Sequence, residues 1–346
     1  MSYAAVTMGC DPEFFFNNKY DGIIGAEKII PSNGILAGGG KIIIDGVQAE
    51  INPQPSTCRE ILAGNISSIF RTLQVTLNKH ANTGVDFSQN IRIKKKELHS
   101  LDEKNMKFGC APSNSLYPST LNLSKIDATK RLNRAAGGHI HLSLFKPYDG
   151  LLHKHDKLAV SLLDVLVGNT FVLIDRDPGN ISRRKLYGRA GEYRLPKHGL
   201  EYRTLSNFWL RHYNLMSLAF GLARTAVQIA MEDHVPTNNN YQSQKLAEAI
   251  LDSVKLTRVR KAINNNDFDI ALENFKNIDF VFKILPSSYT YPICGDTLAN
   301  FYKFVATVQE QGIAHYFPED PMTHWVNHMA HQNNGAGYFL SHLPAK

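Results

Sequence analysis

The sequence predicts an α+β fold. Short strand-like runs separated by turn signals occupy the chain up to about residue 205, and helical periodicity takes over from Leu205 onward. Neither an internal repeat nor a low-complexity linker divides the two regions. The 346 residues, 43% of them hydrophobic, can bury a sizeable core, so the chain reads as one unit over 1–346. Its strand-borne motifs lie within 6–210 and its helical C-terminal part covers 211–346.

Residues 4–52 read as strands and turns. Lys41-Ile42-Ile43-Ile44 and Val47-Gln48-Ala49-Glu50-Ile51 flank Asp45-Gly46, a strong hairpin signal. Asn52-Pro53-Gln54-Pro55 stops the second strand, and Thr57 with Glu60 forms a capping box for a helix running to about Lys79. Ile61, Leu62, Ile66, Ile69, Phe70, Leu73 and Leu77 form its expected buried stripe. Residues 80–135 are polar and turn-rich, which predicts a long, lid-like excursion with little regular structure. Strand alternation returns over Gly137–Phe145, followed by a helix over 155–173 and two short strands carrying Glu192-Tyr193-Arg194 and Glu201-Tyr202-Arg203. Helices are then expected over about 206–232, 241–264, 267–276, 296–311 and 320–332.

Composition narrows the classes. No stretch approaches the roughly 20 apolar residues of a membrane span, and Met1–Met8 shows no basic segment followed by an apolar signal core. A cytoplasmic protein with no membrane partner is therefore expected. Cys10, Cys58, Cys110 and Cys294 are scattered without the close pairs of thiolate metal sites and read as reduced thiols. The net charge of +7 leaves a nucleic-acid-binding or virion structural role as an alternative, because clustered cations displace counterions from phosphate backbones. Lys94-Lys95-Lys96 is its one compact run and reads more simply as solvated surface, so a nucleic-acid partner is not expected.

Chemistry concentrates in five blocks: Gly9-Cys10-Asp11-Pro12-Glu13-Phe14, Gln48-Ala49-Glu50, Gly137-Gly138-His139-Ile140-His141-Leu142-Ser143, and the two Glu-Tyr-Arg triplets. In each, polar residues sit two apart, and alternate side chains of a strand share one face. Carboxylates with imidazoles suit magnesium or manganese, while arginines suit phosphate oxygens. A second basic concentration, Arg183, Arg184, Lys185, Arg189, Arg194, Arg203 and Arg211, lies among the acidic motifs, which favours a bound polyphosphate.

Other site types fit less well. A cupin would place a glutamate shortly after His-x-His, but Leu142-Ser143-Leu144-Phe145-Lys146 follows His141. Gly38-Gly39-Gly40-Lys41 fails as a phosphate-binding P-loop, since Ile35 and Ile42 stand where Gly and Ser or Thr are required. His324, His328 and His331 have helical spacing without a surrounding HExxH and read as structural. No G-x-S-x-G or cysteine nucleophile motif is present, which disfavours covalent catalysis.

Taken in order, the blocks resemble the glutamine synthetase and glutamate-cysteine ligase superfamily over about residues 6–210, most closely the phage COOH-NH2 ligases of the phiEco32 type. The resemblance implies a glutamine synthetase-like catalytic antiparallel sheet with flanking helices, and residence in a host cytoplasm. It implies Asp11 and Glu13 as ligands of two different metal ions, with Glu50, His139 and Glu201 completing the metal set. His141 and Ser143 are implied near the nucleotide, and the Arg183–Arg194 stretch, with Arg183, Arg184 and Arg189, as the grip on ATP phosphates. Glu50, Arg194 and Arg203 are implied at the reacting centre, and Asn207-Phe208-Trp209 resembles the Asn-Pro-Tyr that follows the closing strand. Asp11 is one methylene shorter than the usual Glu, and a second glutamate near Glu50 is missing, for which Asp45 or Glu192 are candidates.

The implied activity joins a carboxylate to an amine with ATP and Mg2+, or Mn2+, through an acyl phosphate. The substrate would be an amino acid, a peptide or a protein. A guanidino kinase-like phosphotransferase, with a related sheet and arginine grip, is the competing enzyme class.

Overall fold

The computed structural model describes residues 6–99, 101, 106, 113–117, 132–185, 187–231, 234–235, 244–284 and 296–332. Its strands are β1 (Val6–Cys10), β2 (Glu13–Asn18), β3 (Gly22–Ile24), β4 (Ile35–Ala37), β5 (Gly40–Asp45), β6 (Gln48–Pro53), β7 (Thr83–Asp86), β8 (Asn90–Arg92), β9 (Asn114–Ser115), β10 (Asn133–Ala135), β11 (Ile140–Leu144), β12 (Glu192–Arg194) and β13 (Leu200–Tyr202). One antiparallel sheet has the order β1-β11-β13-β12-β9, and another has the order β3-β2-β6-β5-β4 with β7 also paired to β2. The architecture is thus mixed α and β with antiparallel sheets.

The chain crosses between these sheets at Asp11-Pro12, between β1 and β2. Pro12 has no N–H to give a ladder, and its carbonyl accepts from Ile51 N at 3.1 Å. Glu13 N donates to Gly137 O at 2.9 Å, and Met8 bridges Ser56, so the ends of β1, β2, β6 and β11 meet at one seam. The expected hairpin is present: Asp45 pairs with Gln48 across β5 and β6, and Gly46 takes the left-handed φ of +61° that the turn needs.

Helices cover the sheets. The first, α1 (Arg59–Leu77), packs on β5 and β6; α2 (Lys95–His99) and α3 (Leu151–Lys154) are short. Helix α4 (Asp156–Ile174) contains a π-type turn over Asp164–Gly168 and lies against α6 (Tyr213–Met231). Between them is α5 (Gly179–Arg184). The remainder are α7 (Gln244–Ser253), α8 (Leu256–Asn265), α9 (Phe268–Ile284), α10 (Asp296–Gln311) and α11 (Pro321–Gln332). One hydrophobic cluster joins Phe14, Ile51, Phe70, Ile140, Tyr202 and Trp209, linking sheets and helices in a continuous core.

Several expectations change. Helix α1 starts after Cys58, whose side chain makes no cap; Glu60 instead accepts from Cys58 Sγ at 3.1 Å and from Tyr213 OH at 3.0 Å. Ile61 is 58% exposed because the buried stripe runs through Arg59, Leu62, Ala63 and Ile66, leaving it one residue off that face. Within 80–135 the described residues include β7, β8, α2, β9 and β10, strands too short to show periodicity. The helix expected over 206–232 is a 3-10 turn, Asn207–Arg211, then α6, separated by extended His212. The 241–264 span is divided at Lys255, which is extended, and α9 continues past residue 276 to Ile284. Among the described residues, α4 is long and apolar enough to cross a membrane, but its apolar window is 89% buried, as in a core helix.

Candidate metal and phosphate centre

Strand registry assembles the site. Gly9 lies opposite His141, His141 opposite Glu201, and Glu201 opposite Arg194, so four strands bring one row of polar groups together. Across the seam Glu13 pairs with Glu50, and Glu50 also lies opposite Ile43 on β5. Tyr202, between Glu201 and Arg203, points to the other face of the sheet, where its hydroxyl donates to buried Asp164 at 2.8 Å.

The polar side chains form two adjoining groups. In one, ligand atoms of Asp11, His141 and Glu201 lie within 4.8 Å of one another; in the other, those of Glu13, Asp45 and Glu50 do. Asp11 Oδ2 is 3.1 Å from His141 Nε2, and Asp11 Oδ1 is 3.2 Å from His139 Nδ1, which is itself 3.6 Å from Glu201 Oε1. Arg203 donates to Glu201 at 2.6 Å and Arg194 approaches it at 3.7 Å. Gly137 leaves room for this packing, since a Cβ there would stand 2.5 Å from His139 Nε2.

Electrostatics distinguish the groups. Burial opposes the charge on Asp11, yet His139 and His141 hold its carboxyl well below the usual carboxylate range. Asp11 in turn raises His141 against the effect of burial, whereas burial and Arg203 lower His139. In the all-carboxylate group burial and neighbouring negative charge act together: Glu13 is pushed up to about 8, Glu50 to about 9, and Asp45 is raised too. Three crowded carboxylates with elevated proton affinity are a group that a cation would stabilise.

The residues fit divalent cations on two observations. Asp11 Oδ1, both ring nitrogens of His139 and Nε2 of His141 are buried without hydrogen-bond geometry to any donor or acceptor. The donor set is carboxylate oxygen plus imidazole nitrogen, which suits magnesium or manganese.

Each expected residue can now be placed. Asp11 and Glu13 fall in different groups, Glu50 joins Glu13, and His139 and Glu201 flank Asp11. His141, expected only at the nucleotide, stands with Asp11 and Glu201, because His139 and His141 share one strand face. Of the two candidates for the missing carboxylate, Asp45 is in the site, whereas Glu192 Oε2 accepts from Gly188 N at 2.7 Å, outside both groups. Ser143 is half-buried on the same face of β11, and half-buried Arg189 donates from Nε to Arg184 O.

Two of the arginines expected at the phosphates are bonded to protein acceptors. Arg183 is fully buried, and its guanidinium donates to the carbonyls of Thr204 at 2.9 Å, Leu205 at 2.5 Å and Arg203 at 3.4 Å. Those donors secure the chain leaving β13. Arg184 is also buried and donates to Asn266 Oδ1 at 2.8 Å. The spacing of the arginines did not reveal this, because α5 directs both side chains into the core.

Asn52 and Tyr187 carry no sequence motif, and Gln48 is known from the sequence only as part of the Gln48-Ala49-Glu50 block. Gln48 Nε2 and Gly137 N both donate to Glu13 Oε2, Tyr187 OH lies 3.2 Å from the same oxygen, and Asn52 Nδ2 donates to Glu50 Oε1 at 2.8 Å. Asn207, singled out by its motif, donates to Glu13 O at 2.9 Å, and Trp209 Nε1 donates to Gly138 O at 2.9 Å.

The other motifs are structural. His324 and His328 are buried around Trp325, with His324 stacked on His212; the His331 side chain lies outside the described residues. Cys10 and Cys58 are free thiols, while Cys110 and Cys294 lie outside the described residues. Lys94, Lys95 and Lys96 are exposed, with Lys94 near Glu97.

Fold and site together define a mixed α and β protein with an acid, imidazole and arginine centre on antiparallel strands. The family model described as phage phiEco32-like COOH.NH2 ligase-type 2 matches residues 130–285, which bears out the resemblance read from the motifs. The family's name is that of a carboxylate-amine ligase. The matched span carries His139, His141, Arg194, Glu201 and Arg203, while Asp11, Glu13, Asp45 and Glu50 precede it. No curated protein matches the chain.

Proposed function

We propose that the protein is an ATP-dependent carboxylate-amine ligase, a single unit built on a glutamine synthetase-like catalytic sheet. The observation that carries this reading is the meeting of two acid-rich groups, Asp11-His141-Glu201 and Glu13-Asp45-Glu50, beside Arg194 and Arg203. Asp11, Glu13, Asp45, Glu50, His139, His141 and Glu201 would hold Mg2+ or Mn2+, which when bound supply positive charge to the phosphates of ATP.

A carboxylate is a poor electrophile until one oxygen becomes a leaving group. In the proposed reaction its oxygen attacks the γ-phosphorus, ADP departs, and an acyl phosphate forms. Amine attack on the carbonyl carbon then expels phosphate and releases the amine's protons, so carboxylate, ammonium and ATP give amide, ADP, phosphate and one proton. Arg194 and Arg203 neutralise charge developing on the transferred group. Glu50, half-buried, is assigned with them to the reacting centre. Ser143 and Arg189 are assigned to the nucleotide, with Arg183 holding the segment that follows the Glu201 strand and Arg184 bonded to Asn266.

The test incubates purified protein with ATP, Mg2+ and mixtures of amino acids and peptides, and reads products by mass spectrometry. ADP, free phosphate and an ATP-dependent condensation product are expected. A stable phosphorylated acceptor without free phosphate would favour a guanidino kinase-like reaction, and salt-dependent DNA binding without ATP turnover a nucleic-acid-binding role. His139→Ala and Glu13→Ala should each lose Mg2+-dependent nucleotide binding; unchanged binding in both removes the ligand assignment.

A further inference from the structure

Strand β6 reads Gln48-Ala49-Glu50-Ile51-Asn52, and the strand period sets Gln48, Glu50 and Asn52 on one face, an amide on either side of the carboxylate. Each amide meets a different member of the carboxylate group. Gln48 Nε2 donates to Glu13 Oε2 and also to the carbonyl of Ala135 at 3.2 Å. Two acceptors on one nitrogen fix the amide orientation, since a flip would set Oε1 against two oxygens. Asn52 Nδ2 donates to Glu50 Oε1 at 2.8 Å.

The consequence is directional. Oε2 of Glu13 is engaged by Gln48 and by Gly137 N, and Oε1 of Glu50 by Asn52. One carboxylate oxygen of each of these residues lies within 4.8 Å of one from Asp45, so the amides hold two members of one carboxylate group. Gln48 is buried and Asn52 half-buried, so neither amide is a loosely held surface group. Resting on the cation reading above, we infer that Gln48 and Asn52 are positioning residues that aim Glu13 and Glu50 at one shared cation, the one held by the Glu13-Asp45-Glu50 group. Neutral donors do this without adding charge, whereas lysine or arginine in their place would compete with the cation.

The inference is specific to one group, which makes it testable. Mn2+ is titrated into wild type, Gln48→Leu and Asn52→Ala, with free Mn2+ followed by electron paramagnetic resonance and folding checked by circular dichroism. Each variant should weaken one Mn2+ site by about 10- to 100-fold while the other keeps wild-type affinity. A role in general stability would weaken both sites together or neither, and either result overturns the inference. Should Gln48→Leu fail to fold, Asn52→Ala carries the test alone. Wild type that takes up no Mn2+ removes the cation reading and this inference with it; wild type that binds while both variants match it removes this inference only.

Discussion

Replacing Arg183 by alanine separates a structural arginine from a phosphate-binding one. In the structure its guanidinium serves the carbonyls of Arg203, Thr204 and Leu205, and it lies 5.0 Å from the centre of the Tyr187 ring. Gly188 accommodates it: a Cβ there would stand 2.3 Å from Arg183 Nη1, and the backbone has a φ of +75°. Truncation removes this donor from the Arg203 and Thr204 carbonyls, while Leu205 O keeps Gly138 N at 3.1 Å; each carbonyl left unpaired costs about 1–3 kcal/mol, with water entering the vacated space to recover part. The expected loss is about 3–5 kcal/mol. Lysine, whose ammonium cannot fork across three carbonyls, should recover less than half of it. Urea unfolding followed by tryptophan fluorescence reads the change, since Trp209 is buried close in sequence to those carbonyls. A loss below about 1 kcal/mol together with abolished nucleotide binding would refute the reasoning and return Arg183 to the phosphates.

Other outcomes follow from the same geometry. Because Glu13 and Glu50 are raised to about 8 and about 9, a cation must displace their protons: Mg2+ affinity should climb as pH rises towards 9 and then level off. Calorimetry in two buffers of different ionisation enthalpy should show about one to two protons released at pH 7, and none would contradict the carboxylate group as the site. Burial raises Asp164 from 3.8 to about 7, so its contribution to stability is present in full below the unfolded value and is lost as pH rises through about 7. Wild-type stability should therefore fall between about pH 4 and 7, and urea titrations of Asp164→Asn should show a flatter slope. Gly137→Ala, which drives a methyl into the His139 ring, should weaken cation binding more than it lowers the melting temperature. Gly138→Ala places its Cβ 2.2 Å from Ser206 O and 2.5 Å from Trp209 Nε1, and should cost about 1–3 kcal/mol in a denaturant titration.

The parts of the site written as strand alternation were legible in the sequence. His139 and His141 share a face, as do Glu201 and Arg203, because a period of two leaves little freedom. The Asp45-Gly46 turn fixed the β5 to β6 register, and with it the position of Asp45 opposite Gln48. What the sequence leaves open depends on tertiary packing. Nothing local tells an arginine facing phosphate from Arg183, whose acceptors lie about twenty residues away on another element. The short strands β7 to β10 and the displaced stripe of α1 likewise depend on partners remote in sequence. The donors Asn52 and Tyr187 carry no motif, and only their distances to Glu50 and Glu13 reveal them.

The most direct measurement is anomalous diffraction at the manganese edge from crystals soaked in Mn2+ with a nonhydrolysable ATP analogue. Two peaks are expected, one among Asp11, His141 and Glu201 and one among Glu13, Asp45 and Glu50, with the triphosphate beside Arg194 and Arg203. Ordered nucleotide elsewhere, with no manganese at either group, would contradict the account.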